Sequence, residues 1–325
     1  MISKARAQEL TRIFISLLFI AGSIYLLRDE WPSALRLLKE INLQIFGFAG
    51  SVLVFINVLA GVRLYYVLKI QGIKTVFHRV LFFSFVGLFF NLFLPSSLGG
   101  DIVKAYFISK DSGAKLKTVS AILIDRLVGL GAVISIALFT LPVFIKTYAD
   151  KKLVAAVLLV SAGFIFCSLL FLSRRVARKF RFLIYLIPSE LGKKKVSEFY
   201  HMIAECRQHF LKLSFCYTLS LFIQMIFIWT GFLISKSIGM NVPFLVFMLI
   251  LPITGIMAMF PSLGGLGIRE ASLVYFLTSY ASSNTAAAYA LASDILVYGF
   301  GLFCGILYLV LGGKMQIRGV KINDR

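Results

Sequence analysis

Residues 91–106 read NLFLPSSLGGDIVKAY, and residues 260–272 read FPSLGGLGIREAS. Each stretch interrupts an apolar segment with proline and paired glycines, and charged residues follow within a few positions. Proline cannot continue a helix interior and glycine adds conformational freedom, so both stretches predict a break between two helices. Charged side chains next to a break in an apolar region need a partner or a water-filled space, which predicts a polar cavity there.

The composition around these breaks is that of an integral membrane protein. Of 325 residues, 59% are hydrophobic and 15% are charged, whereas soluble proteins carry about 25% charged residues. A spanning helix uses roughly 20 apolar residues, so the chain is long enough for about six to nine crossings. These values exclude a soluble globule and predict a single all-α, polytopic membrane domain over residues 1–325.

The charge distribution predicts the orientation. The formal net charge is +20, which fits Lys- and Arg-rich cytoplasmic loops better than a nucleic-acid partner, and no nucleic acid is expected. The basic ends of the apolar runs predict a multi-pass protein of the cell (inner, cytoplasmic) membrane with both termini in the cytoplasm. This count places Arg63, directly after the apolar run 43–62, in a cytoplasmic loop.

The two interrupted stretches predict an internal repeat. The motif SLGG at residues 97–100 recurs at 262–265, and Asp125 and Asp294 stand near the start of the apolar span that follows each motif. By the charge count, the first hairpin enters from the cytoplasm and the second from outside. We therefore expect an inverted repeat with six full spans and two Pro/Gly-broken hairpins, either re-entrant or fully spanning. The predicted units are repeat 1 at about 43–144, a basic amphipathic cytoplasmic segment at 174–212, and repeat 2 at about 213–312.

Inverted repeats with broken helices at corresponding positions are typical of transporters whose binding site lies near the bilayer midplane. A broken helix presents free N–H groups and a positive dipole end, which can hold an anion. The alternative is structural: ion pairs that only fasten helices together, and glycines that only allow close packing. Candidate partners for the buried acids are Lys104 and Arg126 in the first half and Arg269 in the second.

In the functional interpretation, the cations meet an anionic headgroup in a polar cavity between the two hairpins, while the acids reset the site or carry protons. Asn57 and Gln224 lie in apolar runs and are further candidates to line this cavity. The candidate binding and translocation residues are Asn91, Pro95, Ser97, Gly99, Gly100, Asp101, Lys104, Asp125, Arg126, Pro261, Ser262, Gly264, Gly265, Gly267, Arg269, Glu270 and Asp294.

These motifs resemble the lysylphosphatidylglycerol synthase transmembrane-region family, also called flippase-like domain proteins. The matching pieces are residues 91–106, the Asp125-Arg126 pair with its trailing glycines, and residues 260–272. The resemblance covers nearly the whole chain. It implies a lipid-translocating role for the glycine breaks and their charged neighbours, and it implies no aminoacyl transferase here, since that activity belongs to a separate soluble domain.

The two motifs differ in their charges. Leu266 stands where the first motif has Asp101, and Ile295 follows Asp294 where Arg126 follows Asp125. A symmetric pair of sites is therefore not expected.

The sequence thus favours a transporter over an enzyme: a flippase that moves an anionic or headgroup-modified lipid, either a phospholipid or a polyprenyl-linked lipid, between leaflets. No catalytic residue, cofactor or metal site is expected. Membrane lipids are the expected partners, with a lipid-modifying enzyme or a second copy of the chain as further candidates. The alternatives are a polyprenyl-phosphate-dependent glycosyltransferase with Asp29 or Glu30 as base, and a non-catalytic subunit of a lipid-modifying complex.

Overall fold

The computed structural model describes residues 36–94, 99–148, 151–172, 209–259 and 267–311, and this part of the chain is helical without strands. Several predictions lie outside the described residues. These concern Pro95, Ser97, Pro261, Ser262, Gly264, Gly265, Asp29, Glu30 and most of the segment 174–212.

The described helices coincide with the apolar runs of the sequence to within a few residues at most of their ends. In chain order they are α1 Leu43–Ile70, α2 Phe77–Asn91, α3 Gly99–Ser112, α4 Lys115–Tyr148, α5 Lys151–Leu172, α6 Phe210–Ser237, α7 Phe244–Met257, α8 Ile268–Leu277 and α9 Ser283–Leu311. Within the described ranges, α1, α4, α6 and α9 are long and apolar enough to cross a membrane. The helices α2 and α7 are apolar but have only 15 and 14 residues, as expected for the first arms of two broken hairpins.

Local sequence explains where several helices begin and end. The Asn42 side chain accepts hydrogen bonds from the backbone N–H groups of Gln44 and Ile45 and so caps α1. Gly113 separates α3 from α4 with a φ of 71°, a left-handed conformation that glycine adopts at little cost. In the second hairpin, Gly267 precedes α8 with a φ of 86°.

The helices of the two halves pack in the same pairwise pattern. α1 packs against α6 across the middle of the molecule, and each hairpin arm contacts its partner, α2 with α3 and α7 with α8. The second arm of each hairpin then packs against the long helix that follows it, α3 on α4 and α8 on α9. The first arm crosses to the other half, so α2 packs on α9 and α7 packs on α4. This exchange of first arms joins the two halves of the molecule, and the inverted repeat stays a prediction.

Close approach between helices uses small residues, as in other membrane bundles. A Cβ atom added to Gly301 of α9 would lie 2.9 Å from both δ-carbons of Leu92, just beyond the end of α2. Gly305, one turn later, meets the ring of Phe89 in the same way. These two glycines therefore let α2 lie directly on α9 and join the first hairpin to the second half.

An apolar cluster fixes the helices that carry the first group of charges. It contains buried residues of α1, α2, α3 and α4, among them Leu64, Val80, Ile108 and Ile124. Leu64 follows Arg63 and Ile124 precedes Asp125, so their burial restricts where those charged side chains can point. A larger cluster joins α4 and α6–α9.

Candidate functional site

A polar cavity lies at the first hairpin and has a volume of about 350 Å³. This volume is in the range of small-ligand sites. Its walls come from α1, α2, α3, α4 and α6. The lining residues are Arg63, Gly87, Leu88, Asn91, Gly100, Asp101, Lys104, Asp125, Arg126, Gly129, Leu130, Val133, Ser220, Ile223 and Gln224.

Arg63 of α1 and Asp125 of α4 form a paired contact on one wall of this cavity. Arg63 donates from Nε to Oδ1 at 2.7 Å and from Nη2 to Oδ2 at 2.9 Å, and its Nη1 donates to Ser220 Oγ of α6 at 2.9 Å. This two-pronged geometry is the strong form of an arginine–carboxylate pair. The side chains are 12% and 17% exposed. The pair therefore joins three helices and neutralises itself.

Asp101 of α3 lies between two further cations that line the same cavity. Its Oδ1 lies 3.1 Å from Nζ of Lys104, and its Oδ2 lies 2.7 Å from Nε of Arg126 on α4. These three side chains are between 21% and 25% exposed, more than the first pair. Two cations thus share one carboxylate at the more accessible part of the cavity.

Two features of the hairpin bring Lys104 and Asp101 to this position. Gly87 of α2 leaves room for the lysine stem, because a Cβ atom there would lie 2.7 Å from Cγ of Lys104 and 2.8 Å from the carbonyl oxygen of Gly100. Asn91, the last residue of α2, accepts a hydrogen bond through Oδ1 from the Gly100 N–H at 3.1 Å. The N–H groups at a helix start have no partner in their own helix, so Asn91 satisfies one of them and holds α3 against α2.

The formal charge of the cavity is positive. Among the described residues that line it, Arg63, Lys104 and Arg126 contribute three positive charges, and Asp101 and Asp125 contribute two negative ones. The Arg63–Asp125 pair cancels itself, so the excess of one positive charge belongs to Lys104 and Arg126. An unbalanced cation in an apolar surrounding is costly unless water or an anion reaches it. The first cavity is therefore chemically suited to an anion.

The second hairpin carries a smaller charged group with the opposite excess. Arg269 at the start of α8 donates from Nη2 to Oδ1 of Asp294 on α9 at 2.6 Å, and its Nε lies 3.6 Å from Oε1 of Glu270. Glu270 also accepts from the Gly267 N–H through Oε2 at 2.5 Å. One cation thus meets two acids. The neighbouring cavity has a volume of about 60 Å³ and a mostly apolar lining that includes Arg269.

The family model described as the lysylphosphatidylglycerol synthase TM region matches residues 13–305. The chain belongs to this family. The match covers nearly the whole chain, and with the apolar helices it identifies an integral membrane protein whose family points to a lipid-related function. Searches of curated proteins and of solved structures gave no match.

The structure brings the predicted residues of each half together and keeps the two groups apart. Six candidates of the first half line the larger cavity, and Gly99 begins α3 beside them. In the second half, Arg269 contacts Glu270 and Asp294, and Glu270 binds the Gly267 N–H. The six candidates that line the larger cavity are Asn91, Gly100, Asp101, Lys104, Asp125 and Arg126.

Two expectations about the cavity need correction. We expected one polar cavity between the two hairpins, but no residue of α7 or α8 lines the larger cavity within the described ranges, because α6 closes that side through Ser220 and Gln224. Gln224 does line it, as expected. Asn57 does not line either cavity, because its side chain donates to the Leu53 carbonyl of its own helix at 2.8 Å.

Sequence reasoning missed Arg63. The positive-inside count placed it in a loop, yet α1 continues through Arg63 to Ile70 and turns the guanidinium toward Asp125. The signal was present, because the residues from Leu64 to Leu68 are again apolar or aromatic and continue a helix past a single charge. No comparable signal in the sequence marked Ser220, since a serine in an apolar helix commonly donates a hydrogen bond to a backbone carbonyl of its own helix. Ser220 also makes this bond, to the carbonyl oxygen of Cys216.

Proposed function

We propose that this protein moves a lipid with an anionic headgroup between the two leaflets of a membrane. The observation that carries the proposal is the 350 Å³ cavity with an excess of one positive charge inside an apolar helix bundle. An anionic headgroup is costly to place in hydrocarbon, and a cavity with unbalanced cations lowers that cost. Membership in a lipid-related membrane family agrees with this proposal.

The headgroup would occupy the cavity while the acyl or prenyl tails stay in the surrounding lipid. Lys104 and Arg126 would bind the phosphate, because they hold the excess positive charge and are the more exposed cations. Arg63 would position Asp125 and Ser220 rather than bind the lipid, because three hydrogen bonds already engage its guanidinium, two of them to the Asp125 carboxylate. Arg63 therefore keeps the wall of the cavity intact.

Alternating exposure of the cavity would come from movement of the two repeats against each other, as in transporters with inverted repeats. The crossed packing of α2 on α9 and α7 on α4 gives each half a direct contact with the other half's hairpin. A shift of one hairpin would thus move the long helix of the other half. We place the protein in the cell membrane with both termini in the cytoplasm, on the basis of the positive-inside count.

Leaflet exchange in proteoliposomes tests this function. Tail-labelled phospholipids and polyprenyl phosphates are reconstituted with the full chain, and the fraction that chemical quenching reaches from outside is followed over time. We expect wild-type protein to accelerate exchange of an anionic lipid, and Arg126→Ala to lower the rate about tenfold or more, since a lost hydrogen-bonded charge contact is worth roughly 1.5–3 kcal/mol.

The matched control is Arg79→Ala. Arg79 belongs to α2, pairs with Asp111 of α3 and does not line the cavity. Arg79→Ala therefore removes an ion pair from the same hairpin without changing the lining of the cavity. The lipid exchange rate of this variant should stay near the wild-type rate. Absence of exchange by well-folded wild-type protein for every lipid, or equal rates for Arg126→Ala and Arg79→Ala, would contradict the proposal.

A further inference from the structure

The charges that line the cavity indicate how large the ligand's negative charge is, and not only its sign. The Arg63–Asp125 pair is neutral, two-pronged and only 12% and 17% exposed, and so it is not available to balance a ligand. Asp101, Lys104 and Arg126 remain, with two positive charges and one negative charge. A ligand with one negative charge brings this group to neutrality, whereas a ligand with two leaves it negative.

Asp101 is also held differently from Asp125. Each of its oxygens meets a different cation, one from its own helix and one from α4. The two oxygens of Asp101 therefore contact the same two cationic donors that the oxygens of a bound phosphate would contact. Its carboxylate is 23% exposed, so water and a polar headgroup can reach it.

We infer that the cavity takes a singly charged phosphodiester headgroup, and that Asp101 is the internal anion that this phosphate displaces from Lys104 and Arg126. The inference rests on the proposed function for the lipid as ligand, but it concerns binding and not transport. In the bound state, the phosphodiester oxygens accept from Lys104 and Arg126 while the Asp101 carboxylate turns toward the open part of the cavity. In the empty state, the Asp101 carboxylate returns to Lys104 and Arg126.

The net charge of these three side chains also predicts the order in which different headgroups should bind. A phosphodiester carries one negative charge, while a phosphate monoester carries about −1.5 to −2 at neutral pH and approaches −2 when the pH is raised. A zwitterionic headgroup brings no net charge. We therefore expect the order monoanionic diester, then dianionic monoester, then zwitterion, and we expect this order to follow the charge of the site when that charge is changed.

Displacement measurements on the full chain in detergent micelles, at about pH 8 so that a monoester is doubly charged, test the inference. A tail-labelled phosphatidylglycerol is bound first, and unlabelled phosphatidylglycerol, phosphatidic acid or phosphatidylcholine competes for its place. Wild-type protein should prefer phosphatidylglycerol. Asp101→Asn raises the formal charge of the cavity from +1 to +2, and we expect it to shift the preference toward phosphatidic acid by about tenfold or more.

The control for this variant is Asp111→Asn. It makes the same chemical change on the same helix, but Asp111 pairs with Arg79 and does not line the cavity. Its preference should equal that of the wild type. A wild-type preference for phosphatidic acid, or a shift in Asp101→Asn no larger than that in Asp111→Asn, would overturn the inference.

A second variant tests the inference in the opposite direction and does not depend on the folding of the first. Lys104→Gln lowers the formal charge of the cavity to zero, and it should shift the preference from phosphatidylglycerol toward phosphatidylcholine. Lys110→Gln is its control, since Lys110 lies on the same helix outside the cavity. Equal preferences for these two lysine variants would overturn the inference. Leaflet exchange, measured separately, shows whether the proposed function fails or only this account of its ligand.

Discussion

In the first half, the ion pair between hairpin and long helix has its acid, Asp101, on the hairpin and its base, Arg126, on the long helix. In the second half the order is reversed, with the base Arg269 on the hairpin and the acid Asp294 on the long helix. The same helix packing therefore carries opposite charges. The first half ends with an excess of one positive charge in an open cavity, and the second with an excess of one negative charge beside a small, mostly apolar one.

The difference traces to one helix outside the hairpins. Lys104 and Arg269 are equivalent, since each stands four residues after the glycine pair of its motif. Asp294 is bound by Arg269, whereas Asp125 is bound by Arg63 of α1, which leaves Lys104 to Asp101. When α1 and α6, both of 28 residues, are aligned end to end, Thr230 stands where Arg63 does. Because Arg63 binds Asp125, Lys104 joins Arg126 at Asp101 in the first half. The second half has no cation at the matching position of α6, which is Thr230.

If the charged group of the second half serves stability and that of the first half serves binding, substituting their arginines should lower stability by different amounts. Arg269→Ala leaves both Asp294 and Glu270 without their shared cation, and removing one partner from a buried ion pair costs about 3–5 kcal/mol. Arg126→Ala leaves Asp101 with Lys104 in a more exposed place, so the cost is about 1 kcal/mol. Thermal unfolding of purified variants should show a several-fold larger fall in the midpoint for Arg269→Ala.

A double replacement separates lost charge balance from lost packing. Replacing Arg269 by Met together with Asp294 by Leu removes the main pair as a unit, and such apolar replacements avoid an uncompensated charge. The double variant should therefore regain part of the midpoint lost in Arg269→Ala. Equal unfolding midpoints for Arg269→Ala and Arg126→Ala would contradict the assignment of the second charged group to stability and the first to binding.

The glycines of the two first arms offer the next comparison. Gly87 of α2 lies against Lys104 and the Gly100 backbone, whereas a Cβ atom on Gly255 of α7 would meet nothing within 4 Å. Gly87→Ala forces α2 and α3 apart, and overpacking of this kind costs about 1–3 kcal/mol. Gly255→Ala should be neutral or slightly stabilising, because alanine favours a helix interior by about 0.5–1 kcal/mol over glycine.

Unfolding midpoints check this pair of variants, and lipid displacement adds a second readout. Gly87→Ala should also weaken binding, because the Lys104 stem loses its place beside α2. Gly255→Ala serves as the control for a glycine replaced in the first arm of a hairpin. A midpoint for Gly87→Ala equal to that of Gly255→Ala would mean that the close approach of α2 and α3 is not what positions Lys104.

The sequence was sufficient to predict the helices, the two breaks and the clustering of charges within each half. Apolar runs of spanning length have few other structures open to them in a membrane, and a Pro/Gly break beside charges is a strong local signal. The sequence did not predict which of those charged residues pair with each other. Lys104 and Asp101 could be matched by their spacing on one helix, but the Arg63–Asp125 contact depends on how far α1 rotates against α4, which tertiary packing decides.

The hydrogen bonds at the start of each second arm give the smallest expected effect. In the first hairpin, Asn91 at the end of α2 binds the Gly100 N–H, whereas in the second, Glu270 of α8 binds the Gly267 N–H from within its own helix. Asn91→Ala should therefore loosen α3 from α2 at a cost of about 1 kcal/mol.

Hydrogen exchange at Gly100 measures this directly, and about 1 kcal/mol corresponds to roughly a fivefold faster exchange through local opening. Asn57→Ala is the control, since Asn57 bonds only within α1. Unchanged exchange in Asn91→Ala would mean that the charges of Asp101 and Lys104 alone hold α3 in place. In that case displacement of Asp101 by a phosphate would also free the start of α3, and binding and hairpin movement would be one event.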